Sequence, residues 1–265
     1  MAMNILVCIK QVPDTTDVKI DPKTNTLIRE GVQSIINPFD AYAIEEAVRL
    51  KERFGGKATV ITMGPPQAQD ALKEAISLGI DEAIHLSDRA FAGSDTWATS
   101  LILSAAIKKI GDFDLIICGK QASDGDTAQV GPGIAAHLDL AQATYVRRID
   151  SVHLDTNPKV MIVERLLEEG YELIEIHLPA LITVVKEINT PRMPSLKGKM
   201  RAQKAAITVW GNKDLGIEEN KIGLKGSPTQ VVKIFTPPHK EGGKVFTGEP
   251  GEVVDALVAE IKDIL

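Results

Sequence analysis

Three glycines punctuate the stretch Gly119-Lys120-Gln121-Ala122-Ser123-Asp124-Gly125-Asp126-Thr127-Ala128-Gln129-Val130-Gly131. An apolar run precedes it and a helical pattern follows. Glycine lets a backbone approach a phosphate closely, and a helix N-terminus presents unpaired N–H groups at the positive end of its dipole. Thr127 and Gln129 add side-chain donors, and Lys120 adds a charge. The same residue types also suit an ordinary capped loop, so both readings stand on the pattern alone. Asp124 and Asp126 fit capping of the following helix better than acid–base catalysis or metal ligation. No GxGxxG follows the first strand, and no Walker A sequence occurs. The histidines His85, His137, His153, His177 and His239 are scattered and pair with no nucleophile. No catalytic residue and no metal set emerges, so redox chemistry would have to come from a bound cofactor.

The elements that must position this loop can be read from periodicity. Asn4–Gln11 is apolar and predicts a buried first strand. Val18–Ile20 and Leu27–Arg29 flank a turn and predict a small inserted hairpin. Asn37-Pro38-Phe39-Asp40 turns into a helix that ends near Phe54 at Gly55-Gly56. Lys57–Met63 is the next strand, followed by a helix through Ala68, Leu72, Ala75 and Ile76 that closes at Gly79. Glu82–Leu86 is a short strand, Asp95 caps a helix over Thr96–Ile110, and Asp114–Gly119 is a buried strand. A helix through Ile134–Leu138 follows the polar loop. Strand and helix thus alternate over residues 1 to about 140, the pattern of a parallel sheet with helices on both faces. Val146–Leu154, Val160–Leu166 and Tyr171–Leu178 alternate apolar and polar and predict an antiparallel set, while Leu181–Lys186 looks ready to rejoin the main sheet. Asn189–Gln203 reads as a solvated loop, Ile217–Gly243 as mostly loop, and Pro250–Leu265 as an amphipathic helix.

Composition bounds the classes. Hydrophobic residues make up 44% and aromatics only 4% of the 265 residues, so the core must be largely aliphatic. A net charge of -6 favours neither nucleic acid nor an anionic membrane. The two cysteines, Cys8 and Cys118, lie in apolar runs and suit a reducing compartment. No window approaches the roughly 18 apolar residues that would span a bilayer, and no leader pattern opens the chain. A cytoplasmic protein without membrane insertion is expected.

With these motifs in hand, the sequence resembles the beta subunit of electron-transfer flavoproteins. The likeness rests on Leu6-Val7-Cys8-Ile9-Lys10, Asn37-Pro38-Phe39-Asp40, Ile44 to Glu52, and Gly119-Lys120-Gln121-Ala122. It continues through Val163-Glu164-Arg165, Leu178-Pro179-Ala180, and Asn189-Thr190-Pro191-Arg192 with Leu196 beyond, so it spans nearly the whole chain in order. The resemblance implies a parallel-sheet α/β domain of the adenine-nucleotide-alpha-hydrolase-like (Rossmann-like) class, with an antiparallel addition and an extended C-terminal arm. It implies a nucleotide-binding domain over 1–186, and a partner-recognition loop with an arm on the alpha subunit over 187–265.

The resemblance also implies a heterodimer with a larger, flavin-holding alpha subunit. One-flavin members of the family bind AMP in the beta subunit. Bifurcating members bind a second FAD there, which accepts hydride from NADH. Electrons then go to ferredoxin or flavodoxin and, through the alpha-subunit FAD, to a flavin-dependent dehydrogenase. The stretch Ser123 to Gly131 resembles the bifurcating version, and Val12-Pro13-Asp14-Thr15 lacks a tyrosine seen near this place in one-flavin relatives. FAD is therefore expected, with AMP as the alternative, and the chain is expected to act as an electron-carrier subunit. Carried over by position, the nucleotide contacts are Cys8, Asn37, Phe39, Asp40, Met63, Gly119, Gln121, Ala122, Ser123, Asp124, Gly125, Asp126, Thr127, Ala128, Gln129, Val130 and Gly131. Glu164 and Arg165 match a segment near the site, or else form cross-strand ion pairs. Leu196 matches a docking leucine, with Arg192, Lys197, Lys199 and Arg201 around it. Readings from other classes are a stand-alone nucleotide-binding regulatory module, which leaves the tail after Lys186 unexplained, and an ATP-dependent ligase, which would want a richer Ser/Gly loop near Val12.

Overall fold

The structure, a computed structural model, describes residues 2–14, 34–232 and 242–262. The first apolar run forms β1 (Met3–Cys8). Met3, Ile5 and Val7 join one core cluster, and Leu6 and Cys8 join another. A strand buried on both faces reads as a continuous apolar run, which is why no alternation marks it. The strand expected to continue to Gln11 instead breaks after Cys8. There the Lys10 N–H leaves the ladder for Asp40 Oδ2 at 2.7 Å, and the Lys10 carbonyl accepts the Asn37 N–H at 2.9 Å. Beyond the break, β2 (Gln11–Pro13) pairs antiparallel with β3 (Ser34–Ile36) in a separate two-stranded sheet. The hairpin expected at Val18–Ile20 and Leu27–Arg29 lies outside the described residues.

Helix α1 (Pro38–Phe54) opens on a proline, whose fixed φ suits a first helical turn, and closes on Gly55 at φ 74°. Then follow β4 (Gly56–Met63), α2 (Gln69–Leu78), β5 (Glu82–Leu86) and α3 (Thr96–Ile110). Asp95 caps α3 as expected, accepting the Ala98 N–H at 3.0 Å. Next come β6 (Leu115–Gly119) and α4 (Val130–Leu138). The antiparallel set is β7 (Ala141–His153), β8 (Val160–Leu167) and β9 (Gly170–His177), and β10 (Ala180–Val184) returns to the main sheet between β6 and β7.

One element departs from an expected loop, and another forms where no element was expected. Residues 196–204 form α5 (Leu196–Lys204), whose first turn is capped by Ser195 Oγ accepting the Gly198 N–H at 3.0 Å. Glycine and lysines had masked its helical period. The segment β11 (Thr208–Trp210) adds a parallel edge strand beside β5, too short to show an alternation. Two single-turn helices, α6 (Asn212–Leu215) and α7 (Gly223–Gly226), follow. The chain divides into two compact units, Met1–Val232 and Lys233–Leu265, so residues 187–232 lie in the first. The second holds the expected terminal helix, α8 (Pro250–Ile261). No described helix is long and apolar enough to cross a membrane.

The nine-stranded sheet runs β11-β5-β4-β1-β6-β10-β7-β8-β9. From β11 to β7 neighbouring strands are parallel. Ala43, Ile44, Leu72 and Ile76 of α1 and α2 cover one face, and Ile102, Leu103, Ile134 and Ala135 of α3 and α4 cover the other. The chain steps outward from β1 to β4 and β5, then returns to β6 on the opposite side of β1. That reversal leaves a crevice beyond the carboxyl ends of β1 and β6, where open parallel sheets hold their ligands.

Contact between α3 and α4 fixes the far side of this crevice. A Cβ on Gly133 would stand 2.6 Å from Ser100 Oγ and 2.8 Å from Ser100 Cβ, too close for either to yield cheaply. Overpacking of this kind costs about 1–3 kcal/mol, against which the better helix propensity of alanine returns at most about 1 kcal/mol. Urea unfolding of Gly133→Ala is therefore expected to show a net loss. Gly125→Ala, whose Cβ meets no heavy atom within 4 Å, is expected to stay within about 0.5 kcal/mol of the parent.

Candidate functional site

A cleft of about 340 Å³ opens at the strand-order reversal. Its floor includes Cys8 and Cys118, register partners on β1 and β6 that are both buried free thiols. A hydrogen bond with Cys8 and burial together hold the Cys118 thiol well above its usual range. A thiol so protonated is a poor nucleophile, and the pair serves as an apolar floor.

Asn37 ties the parts of the cleft together. Its N–H donates to the Lys10 carbonyl, its Nδ2 donates to the Gln121 carbonyl at 2.8 Å, and its Oδ1 accepts the Ser123 N–H at 3.0 Å. One buried amide thus joins the end of β1, the start of α1 and the loop after β6. Lys10 Nζ reinforces the join with an ion pair to Asp124 at 2.6 Å. Asp126 is hydrogen-bonded to Gln121 instead.

These bonds correct the capping role expected of the two aspartates. The N-cap of α4 is Gln129, which makes no side-chain cap bond. Asp124 is drawn off by Lys10, and Asp126 by Gln121. The first N–H groups of α4 are therefore uncapped by a carboxylate, as an anion site requires, and Val130 and Gly131 line the cleft. Asp126 and Ala128 stand at φ 51° and 54°, a left-handed conformation that costs an L residue about 1–2 kcal/mol. Such strain concentrates at binding loops.

The glycines divide by role. A Cβ on Gly119 would lie 2.3 Å from Asp40 Oδ1 and 2.7 Å from the Phe39 carbonyl carbon. One on Gly131 would lie 2.6 Å from Thr183 Cγ2. Both are glycine because α1 and β10 press on the loop. Gly125 alone of the three borders open space.

Asp40 closes the near wall. It is buried and accepts the Lys10 N–H, and burial pushes its carboxyl up to about 7, against the pull of its bonds with Asn37, Lys10 and Gly119. Lys120 Nζ lies 4.9 Å from the Tyr145 ring centroid and 5.9 Å from that of Phe39. Tyr145 stands at φ 60° in a bulge where β7 slips register against β10.

Of the residues expected at the site, Cys8, Asn37, Asp40, Met63, Gly119, Gln121, Ala122, Gly125, Thr127, Ala128, Gln129, Val130 and Gly131 line the cleft. Phe39, Ser123, Asp124 and Asp126 do not line it, and the exposed Ser123, Asp124 and Asp126 bond to Asn37, Lys10 and Gln121. The far wall was not foreseen: Ser94, Asp95, Thr96 and Thr99 open α3 and line the same cleft, and Thr96 Oγ1 donates to Gln129 Oε1 at 2.9 Å. The signal was available, since these residues follow β5 and ligands gather beyond carboxyl strand ends. Glu164 and Arg165 are not cleft residues. Glu164 pairs with Arg148 at 3.0 Å and Arg165 with Glu172 at 3.6 Å, across neighbouring strands. Leu196 and Lys197 lie exposed on α5, apart from the cleft, and Arg192 is taken up by Glu45 and Glu52.

The arrangement offers an apolar floor for a flat base, polar walls at its edge, and an uncapped helix N-terminus for a phosphate. Comparison with known proteins points the same way. Residues 24–215 match the family model described as electron transfer flavoprotein domain. The chain is 54% identical over 260 residues to the electron transfer flavoprotein subunit beta of Thermoanaerobacterium thermosaccharolyticum, covering 98% of each chain. It is 52% identical over 263 residues to the caffeyl-CoA reductase-Etf complex subunit CarD of Acetobacterium woodii, again covering 98% of each. It is 49% identical over 267 residues to protein FixA of Azotobacter vinelandii, covering 98% of this chain and 94% of the relative.

The buried carboxyl gives a pH signature. In the unfolded chain Asp40 titrates near 3.8, and in the fold near 7, so the folded state binds the extra proton between these values. Its contribution to stability therefore falls as pH rises from about 4 to 7 and is level above that. Asp40→Asn removes this titration. The melting temperature of the variant relative to the parent is expected to climb across that window and to stay level from about pH 8 to 9. A difference that is flat throughout would mean that Asp40 is already ionised in the fold at low pH.

Proposed function

The chain belongs to the electron-transfer flavoprotein family as a beta subunit, and from that premise we propose that its cleft holds FAD and that it works in a heterodimer which bifurcates electrons from NADH. The observation that carries the reading is the loop 119–131. It is fastened at its start by Asn37, is strained at Asp126 and Ala128, and ends on an α4 N-terminus left free of any side-chain cap.

Bound FAD would supply the redox chemistry, taking hydride from NADH and delivering electrons to ferredoxin or flavodoxin and, by way of the alpha-subunit FAD, to a flavin-dependent dehydrogenase. This chain's residues bind and orient. Cys8, Met63 and Cys118 give the adenine an apolar seat, and Asp40 sits at its edge as an acceptor or, protonated, a donor. Val130 and Gly131 present backbone N–H groups to phosphate, with Thr127 and Gln129 beside them. Two features favour FAD over AMP. Gly125 borders open space, which leaves room past the adenosine half. The segment Val12-Pro13-Asp14 carries no tyrosine where one-flavin relatives have one. The alpha subunit is the partner for the second unit, whose helix α8 carries the exposed apolar residues Val254, Leu257 and Val258. Helix α5 is the docking element for the dehydrogenase. Leu196 is its apolar anchor at 78% exposure, and the exposed Lys197 and Lys199 form a basic rim that suits an acidic partner surface.

Acid release of cofactors from the purified heterodimer is expected to yield two FAD and no AMP, and one FAD with one AMP would overturn the reading. Leu196→Ala is expected to raise the KM for the dehydrogenase about tenfold, as loss of a central anchor does. Unchanged transfer from an intact heterodimer would remove α5 from the docking role.

A further inference from the structure

Between β10 and α5 the chain passes through Asn189 to Ser195, preceded only by a 3-10 turn at Lys186–Ile188. It contains Pro191 and Pro194 and belongs to no ladder. Side chains of α1 nonetheless fasten it closely. Asn189 Nδ2 donates to the Tyr42 carbonyl at 3.0 Å and to Glu46 Oε2 at 2.9 Å. Arg49 Nη2 donates to the Thr190 carbonyl at 3.3 Å. Arg192 is the centre: its backbone N–H and Nε both donate to Glu45 Oε2, at 3.1 and 2.8 Å, and its Nη1 and Nη2 donate to the two oxygens of Glu52 at 2.6 and 2.9 Å. Glu45 and Glu52 lie two turns apart on one face of α1, a spacing that suits a planar guanidinium gripping both.

The next residues are seated with equal closeness on α2. A Cβ on Gly198 would lie 2.1 Å from the Ser77 carbonyl oxygen, and Arg201 Nη2 donates to the carbonyls of Ile76 and Ile80 at the end of α2. The outcome is unusual for a surface. Met193, Leu196 and Met200 are 87%, 78% and 54% exposed, yet the backbone under them is held from both ends. A site ordered before its partner arrives loses less freedom on binding.

We propose that Arg192, gripped by Glu45 and Glu52, is a positioning residue that holds the Met193–Met200 surface in its docking geometry for the partner dehydrogenase. This rests on the docking reading of α5. The sequence pattern put Arg192 at the docking surface, and its bonds turn the guanidinium toward α1. Glu45 is buried to 4% side-chain exposure. Burial would raise its carboxyl, but the bonds from Arg192 and Arg49 outweigh that and hold it below the usual range. Loss of Arg192 therefore leaves Glu45 to Arg49 alone and frees residues 191–195, while Asn189 and Thr190 keep their bonds to Tyr42, Glu46 and Arg49. The cleft, at the opposite end of α1, keeps its own bonds through Asn37 and Asp40.

The test uses the heterodimer carrying Arg192→Met, Arg192→Lys or Glu52→Gln. For Arg192→Met, amide hydrogen exchange over residues 196–204 is expected to rise at least tenfold, with exchange over 115–131 and the bound cofactor unchanged. With NADH as donor, ferredoxin present, and a purified flavin-dependent acyl-CoA dehydrogenase as the acceptor probe, KM for the dehydrogenase is expected to rise five- to tenfold while kcat at saturation holds. Arg192→Lys, which keeps the charge and loses the fork, should fall between parent and Arg192→Met. Glu52→Gln, at a partly exposed partner, should shift both readouts the same way but less. Unchanged exchange over 196–204 in Arg192→Met would overturn the inference, as would raised exchange with unchanged KM. If Leu196→Ala also leaves KM unchanged, it is the docking reading that fails, and the exchange result still decides whether Arg192 orders the segment.

Discussion

Because β1 pairs with β4 on one edge and β6 on the other, the connections leaving those two neighbours depart to opposite faces of the sheet. No crossover can then fill the space beyond the carboxyl ends of β1 and β6. Every feature of the cleft follows from that vacancy. Cys8 and Cys118 end side by side at its floor, the chain breaks from the ladder at Lys10 to skirt it, and the loop after Gly119 must arch over it before α4 begins. Asn37 then couples these ends, so that the loop is shaped by β1 and α1 as much as by its own residues.

Helix α1 borders both the cleft and the segment leading to α5, and its carboxylates show how differently burial can resolve. Asp40 and Glu46 are buried with partners too weak to offset desolvation, and both are raised. Glu45 is as buried by exposure as Asp40, yet two guanidiniums reach it and its carboxyl is lowered. The contrast follows from partner charge: backbone N–H groups and an amide serve Asp40, where arginines serve Glu45. Burial thus pushes Asp40 up to about 7 beside the cleft, while arginine bonds hold Glu45 and Glu52 below the usual range.

Much of this was legible in the sequence, and the misses share causes. Strands buried on both faces announced themselves as apolar runs, and Gly55, Gly79 and Asp95 marked helix ends by local chemistry. The loop 119–131 was legible by composition as a polar, glycine-bearing loop, and most of its residues line the cleft. The roles of Asp124 and Asp126 were not, because their partners Lys10 and Gln121 are set by tertiary proximity. The glycine pattern was read as room for phosphate, when Gly119 and Gly131 answer to packing against Asp40 and Thr183. Helix α5 and strand β11 escaped because each is stabilised by a neighbour, α2 and β5, rather than by its own periodicity. The far wall at Ser94–Thr99 was overlooked although its place after β5 pointed to it.

FAD on this chain, in the cleft framed by the loop after β6, is what the proposed role requires. Gly119→Ala drives a methyl group into Asp40 and Phe39 at the root of that loop. Counting flavin in the purified heterodimer of parent and variant tests the claim directly. Two FAD per parent heterodimer and one in the variant are expected. Two FAD retained by the variant, or one in both, would contradict it.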